Sequence, residues 1–290
     1  MRAVRTLFTL LFCIAVLCAA AGCSAPGAPQ ASYLLGEDGR LIIKAVPPEY
    51  TETALDRSGG ITVSRIIFAN PGGPVSALLA APEDPVAAIV FVPGAGVKAA
   101  AHLERAETYA ASGIAFCVID PRGNGDETPG YSFDLQRDFA LYREGKWPQV
   151  YRVVTDCIIA REMLGERYGV PVYAMGSSNG GCYTVLAVAA DRDFAGWYGI
   201  STSGYGGASE QFEGDSRLFI ASIDPDIAVG YITPRPVRVY HAVDDTVIPY
   251  SSGMALFNHA REPKDFVAFN GTHGINAEVD AMVMADVLTF

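Results

Sequence analysis

The chain of 290 residues carries 21 lysines and arginines against 32 aspartates and glutamates, and half of its residues are hydrophobic. This length suits one large α/β domain once a targeting segment is set aside. A formal net charge of −11 argues against a nucleic-acid partner or electrostatic binding to an anionic membrane surface.

Residues 1–23 read as an export signal. Arg2 and Arg5 form a positive start, and Leu7 to Ala21 gives 15 residues without a charge, shorter than the ~18 wanted for a spanning helix. The stretch ends Ala20-Ala21-Gly22-Cys23, which resembles the lipobox of prokaryotic lipoproteins. That resemblance implies cleavage before Cys23, lipidation of Cys23, and an exported protein anchored to a membrane and facing outside the cytoplasm. Ser24 to Ser32 is small, Pro-rich and uncharged, so residues 24–45 are expected to form a tether and residues 46–290 a single domain. Cys13 and Cys18 leave with the signal. With Cys23 carrying the lipid three remain; Cys117 and Cys157 lie in apolar surroundings, so with Cys182 they read as free thiols, the first two buried and inert.

In chain order, Ile61 to Phe68 and Val75 to Ala81 are β-rich runs around Asn70-Pro-Gly-Gly-Pro74 and predict an antiparallel hairpin. The continuous apolar run Ala87 to Val92 predicts a strand, followed by a helix from about Ala99 to Ala111 and a strand over Ile114 to Asp120. Val150 to Tyr168 has apolar residues at helical spacing and stops at Gly169-Val-Pro171, which predicts a helix with a glycine cap. A strand over Val172 to Met175 leads through glycine-rich turn residues to a helix over Cys182 to Ala190. Trp197 to Ile200, Val237 to His241 and Asp265 to Phe269 predict three more strands before a closing helix from about Ile275.

Apolar strands alternating with amphipathic helices imply a mostly parallel sheet covered on both faces, with catalytic groups at the strand C-termini. Two stretches break the alternation, about Asp126 to Pro148 and Ser203 to Arg235, and read as lids or binding loops. The aromatic residues Tyr131, Phe133, Phe139, Tyr142 and Trp147 of the first suit either an apolar ligand or core packing.

Gly176-Ser177-Ser178-Asn179-Gly180 is a G-x-S-x-G between a strand and a helix. A nucleophile on so tight a turn takes up strained backbone angles, and glycines on either side remove clashing side chains. The segment Val172 to Ala190 resembles the nucleophile elbow of the α/β-hydrolase superfamily, and the resemblance implies an α/β-hydrolase fold with a short lid-like insertion and Ser178 as nucleophile. A serine hydroxyl needs a base held by a carboxylate. His273, in Gly271-Thr-His-Gly274 beyond the last strand, falls where the family order Ser, Asp, His places the base. Val237 to Pro249 resembles the family's acid loop, in which the aspartate stands four residues before the proline. That residue is Asp245, with Asp244 as the competing neighbour. His102, His241 and His259 read as capping or surface histidines.

The oxyanion hole requires two backbone N–H donors. Asn179 follows the nucleophile, and Pro93-Gly94-Ala95-Gly96 occupies the place of the family's other oxyanion loop, which points to Ala95 and then Gly96. Asp120-Pro-Arg-Gly-Asn-Gly125 resembles a structural turn of the family. The implied activity is hydrolysis of an ester or amide bond in a small-molecule or peptide substrate through an acyl-enzyme at Ser178. No cofactor or metal is called for, and neither H-E-x-x-H nor paired ligand spacing occurs.

Two other readings compete. Gly94 to Ala99 also fits the G-x-G-x-x-A form of a dinucleotide fingerprint with Asp120 at the end of the next strand, which would make the chain an NAD-dependent oxidoreductase. Alternatively, the chain is a non-catalytic lipoprotein using a hydrolase fold as a binding module.

Overall fold

The computed structural model describes residues 32–44, 49–70, 72–123 and 127–289. The expected export signal, Cys23 and residues 24–31 and 45 of the expected tether lie outside these. Residues 32–44, also expected in the tether, form instead an antiparallel hairpin of β1 (Ser32–Leu35) and β2 (Leu41–Lys44). Its Leu41 and Ile43 are buried in the core, and Tyr33 packs edge-on against Trp147 and Tyr151. Burial alternates along β2, with Leu41 and Ile43 inward and Ile42 and Lys44 outward, so one face of the hairpin is buried and this segment is part of the folded body.

The main sheet has nine strands: β3 (Tyr50–Ser58), β4 (Ile61–Phe68), β5 (Val75–Pro82), β6 (Ala87–Val92), β7 (Ile114–Ile119), β8 (Val172–Ser177), β9 (Trp197–Ile200), β10 (Val237–Ala242) and β11 (Lys264–Phe269), in the order β11-β10-β9-β8-β6-β7-β5-β4-β3. The six strands from β11 to β7 are mutually parallel, and β5, β4 and β3 continue antiparallel. Every residue of β6, β7, β8 and β9 is buried, because helices cover both faces and leave no polar side for alternation.

The helices are α1 (Leu103–Ala111), α2 (Leu135–Arg143), α3 (Gln149–Tyr168), α4 (Asn179–Ala190), α5 (Gly214–Ser222), α6 (Pro225–Ala228), α7 (Tyr250–His259) and α8 (Ala277–Val287). α3, α4 and α7 contribute to the core on one face of the sheet, α1 and α8 to the core on the other. Their ends follow the sequence. α3 stops at Gly169, whose φ of 65° is left-handed and whose N–H returns to Gly165 O at 2.9 Å. Asn276 caps α8 by accepting the Val279 N–H at 3.0 Å. Among the described residues no helix is long and apolar enough to cross a membrane.

The two stretches outside the alternation pack on each other. Phe139 and Tyr142 of α2 lie 5.6 and 5.3 Å, centroid to centroid, from Phe219 of α5. Trp147 is held by Tyr33, so most of the aromatics of the first stretch are spent on packing and only Phe133 remains exposed.

Candidate active site

β8 ends at Ser177 and α4 begins at Asn179, leaving Ser178 as the sole residue of the turn. Its φ of 54° and ψ of −123° lie where side chains rarely go, a strain held in place by the surrounding contacts. Those contacts require the flanking glycines. A Cβ on Gly176 would come within 2.3 Å of Gly180 O, and one on Gly180 within 2.0 Å of Val92 O. The N-terminus of α4 therefore presses on the end of β6, and Ser178 N is tied to Ile200 O at 2.8 Å on the other side.

This close approach brings the loop after β6 over the turn. A Cβ on Gly94 would meet Ser178 Cβ at 3.4 Å. Ala95, Gly96 and Asn179 line one cleft of about 360 Å³, together with Pro121, Arg122, Gly123, Ser132, Phe133 and Tyr183. The backbone N–H groups of Ala95 and Asn179 donate to no backbone or side-chain acceptor among the described residues, which is the condition for an oxyanion hole: donors in place and unspent. The first turn of α4 adds the positive end of the helix dipole at the same point.

The candidate acid and base come from loops after β10 and β11. His273 Nδ1 lies 2.9 and 3.1 Å from the two carboxylate oxygens of Asp245, 28 residues earlier in the chain. The Asp245 side chain is fully buried, whereas the His273 side chain is 22% exposed. Burial alone would raise the Asp245 carboxyl. The Ile248 N–H, the His273 imidazole and the Val247 N–H outweigh it and hold the group below its usual range. Gly274, next to His273, would bring a Cβ to 4.0 Å from Ser177 Oγ, so the histidine loop abuts the serine turn. Ser178 Oγ and His273 Nε2 make no direct hydrogen bond, and a base in this position needs only a small side-chain rotation to reach the hydroxyl.

The other sequence candidates fall outside this constellation. Asp244 is exposed, and His259 ends α7 at the surface. His102 is buried beneath the loop after β6, pushed down to about 4 by burial and then by Arg105. His241, expected at the surface or a cap, is fully buried behind Asp245. Asp120 does not reach outward to a ribose: its carboxylate accepts the N–H groups of Ala99, Glu127 and Thr128. The Gly94 to Ala99 loop is thus bonded back to the protein and packed on Ser178, which favours an oxyanion loop over a dinucleotide cradle. Arg122 is buried in a two-pronged pair with Asp156, with Nε at 2.7 Å, and it also holds Gly72 O and Gly73 O. Asn124 and Gly125 of that turn lie outside the described residues.

Cys117 and Cys157 are buried, and Cys182 is half-buried. Burial pushes Cys182 up to about 11, so a thiol one turn beyond Ser178 stays protonated and is no rival nucleophile.

Phe133 belongs to the stretch read from the sequence as a lid or binding loop, whereas Ser132 and Tyr183 were not singled out as cleft residues. Tyr183 was legible in principle, since it stands four residues after Asn179 and shares its face of α4. Burial pushes its hydroxyl up to about 12, opposed by the Asn179 side chain.

The family model described as serine aminopeptidase, S33, matches residues 83–205, a span that contains Ala95, Ser178 and Asn179 and stops before Asp245. A search of curated protein sequences finds no match. Among solved structures, the chain is similar to acetyl xylan esterase 1 from Thermoanaerobacterium sp. (TM-score 0.71, 15% identity, 84% of this chain and 88% of that one). It is also similar to an acetyl xylan esterase from Paenibacillus sp. (0.70, 16%, 85% and 90%) and a glucuronoyl esterase from Solibacter usitatus (0.61, 14%, 84% and 87%). At such identities these structures speak for the fold. They give the chain the α/β-hydrolase fold, and the match over residues 83–205, which contains the elbow, is a similarity to a serine hydrolase family of that fold.

Proposed function

We propose that the protein hydrolyses a carboxylic ester of a small, uncharged acyl group through an acyl-enzyme on Ser178. Ser178 Oγ attacks the carbonyl carbon while His273 Nε2 takes its proton, and Asp245 orients the ring through Nδ1 and stabilises the imidazolium that forms. The Ala95 and Asn179 N–H groups receive the developing oxyanion. His273 then returns its proton to the leaving alkoxide, and water repeats the sequence to release the acid.

The observation that carries this reading is the Asp245–His273 pair at 2.9 Å, assembled from two separate loops beside a strained serine. The choice of ester over an aminopeptidase-type amide rests on the cleft. Recognition of a protonated α-amino group wants a carboxylate, and no residue lining the cleft among the described residues is acidic. The Arg122 side chain is only 1% exposed and is neutralised by Asp156, so the cleft presents hydroxyls, backbone and the Phe133 ring rather than net charge. Its fold relatives are esterases of sugar-linked substrates by name, which agrees with that lining.

Export and anchoring through acylated Cys23 belong to the same proposal and rest on the residue pattern of the first 23 positions.

The test is labelling of the domain from Ser24 onward with a fluorophosphonate, with peptide mapping, beside turnover of p-nitrophenyl esters of increasing chain length and of aminoacyl p-nitroanilides. Adduct on Ser178, with acetate and propionate esters preferred over longer chains and over anilides, is the expected result. Folded protein without an adduct would overturn the mechanism, and preference for the anilides would overturn the substrate class.

A further inference from the structure

We propose that His241 is a positioning residue for the acid of this site, holding the loop that carries Asp245 through the Ile248 carbonyl and standing against the Asp245 carboxylate. The inference rests on the reading of Asp245 and His273 given above and adds a fourth member that touches neither the substrate nor the nucleophile.

His241 is the penultimate residue of β10, paired with Ala268 of β11 and fully buried. Its Nε2 lies 2.9 Å from the carbonyl oxygen of Ile248. A carbonyl can only accept, so Nε2 carries a proton and donates it to Ile248 O. The same Nε2 lies 3.5 Å from Asp245 Oδ2. The carboxylate is held by three donors: the N–H groups of Val247 and Ile248 reach Oδ1, each at 2.9 Å, and His273 Nδ1 reaches both oxygens, while the His241 ring stands against Oδ2 with its N–H directed to Ile248 O.

The Ile248 peptide links these parts. Its N–H holds Asp245 Oδ1 and its carbonyl holds His241, so the loop from 243 to 249 is pinned at both ends of one residue. A carboxylate can rotate about its Cβ–Cγ bond. With Oδ1 committed to the backbone and Oδ2 flanked by two imidazoles, that rotation is closed off and the oxygens stay in the plane His273 needs.

The rest of the His241 ring is fixed by packing. Gly253 of α7 lies against it so closely that a Cβ there would fall 2.1 Å from Nδ1 and 2.7 Å from Cε1. Tyr250 meets the ring edge-on at 6.0 Å. Nδ1 is buried and has no partner, which a purely structural imidazole would have little reason to tolerate, since a buried polar atom without a bond is costly. An apolar ring would fill the space without that cost, so the residue type is explained by what Nε2 does.

The experiment is a double-mutant cycle with the full domain. His241→Phe keeps volume and removes the N–H; His241→Gln keeps a donor. Both are measured alone and with Asp245→Asn, for kcat and KM on p-nitrophenyl acetate and for the rate of fluorophosphonate inactivation, with melting temperature as the check on folding. His241→Phe should lower kcat by about 10- to 100-fold, the range expected from a misplacement near 1 Å, with KM within about twofold, and His241→Gln should recover part of the loss. In the Asp245→Asn background, His241→Phe should add nothing further, because the group it positions is already gone. Losses that multiply in the double variant, or a His241→Phe enzyme with unchanged kcat, would overturn the proposal. If His241→Phe does not fold, His241→Leu, which also lacks the N–H, carries the same comparison. Full activity of Asp245→Asn alone would instead overturn the catalytic reading on which the inference rests.

Discussion

The Arg105 Nε stands 3.0 Å from both carboxylate oxygens of Asp280, joining α1 to the first turn of α8. Tyr109 also donates to Asp280 at 3.2 Å, and Arg105 reaches Ile275 O at 3.4 Å, two residues beyond His273. The exit of the histidine loop is therefore braced from the helix that follows the oxyanion loop. Both side chains are largely but incompletely buried, at 17 and 13% exposure, so the loss lies between that of a surface and a buried pair. Asp280→Ala should destabilise by about 1–3 kcal/mol, seen as a drop of roughly 2–9 °C in Tm for a domain of this size. A change smaller than 1 °C would show that the tie bears little load.

Asp244 and Asp245 are adjacent in sequence and opposite in environment. Asp244 is exposed, while the Asp245 side chain receives two backbone N–H groups and His273. Asp245→Asn should lower kcat by about 10³- to 10⁴-fold, because an amide can present an N–H to Nδ1 and favour the wrong imidazole tautomer. Asp244→Asn should remain within about twofold of the parent enzyme. Steady-state kinetics on the two variants decide the point, and equal losses would contradict the assignment.

The contrast shows what was readable beforehand. Wherever burial leaves a signature in residue type, the elements stand where the sequence puts them: Ala87 to Val92 and Ile114 to Ile119 are continuous apolar runs because both their faces are covered. β3 left no such mark. Tyr50–Ser58 is exposed along its whole length and mixes Glu, Asp and Arg with Thr and Ala, so its strand character comes from pairing with β4 rather than from burial. The β1–β2 hairpin was hidden by its proximity to a Pro-rich leader. At the candidate site, Ser178, Asp245 and His273 could be named from the sequence because the elbow and the acid loop demand particular residues at fixed spacing, and Phe133 could be placed in a binding loop. Tyr183 and His241 could not be placed at the site, since their positions there depend on how α4 and α7 lie across the strands.

The lowered Asp245 carboxyl also sets a pH dependence of stability. A folded value below the unfolded one favours the folded chain at every pH above the unfolded carboxyl value, near 4. The contribution disappears as pH falls through the folded value. In urea unfolding of the parent and Asp245→Asn, the stability gap should not shrink between pH 7 and 5 and should narrow from about pH 4 downward. Narrowing already between pH 7 and 5 would mean that the carboxyl is not held low.

Two glycines on helices separate close packing from mere absence of a side chain. Gly165 in the interior of α3 has open space where a Cβ would go, so Gly165→Ala removes only the entropic weakness of glycine and should stabilise by about 0.5–1 kcal/mol. Gly180, in the first turn of α4, would drive a Cβ to 2.0 Å from Val92 O and 2.6 Å from Pro93 O. Neither contact is with a flexible side chain, so the backbone must move, and the segment that moves carries the loop to Ala95. Gly180→Ala should therefore cost about 1–3 kcal/mol in stability. Because it separates the two oxyanion donors, it should also slow fluorophosphonate labelling of Ser178 by about 100-fold or more. A folded Gly180→Ala variant that labels at the parent rate would show that the donors are not Ala95 and Asn179 acting together.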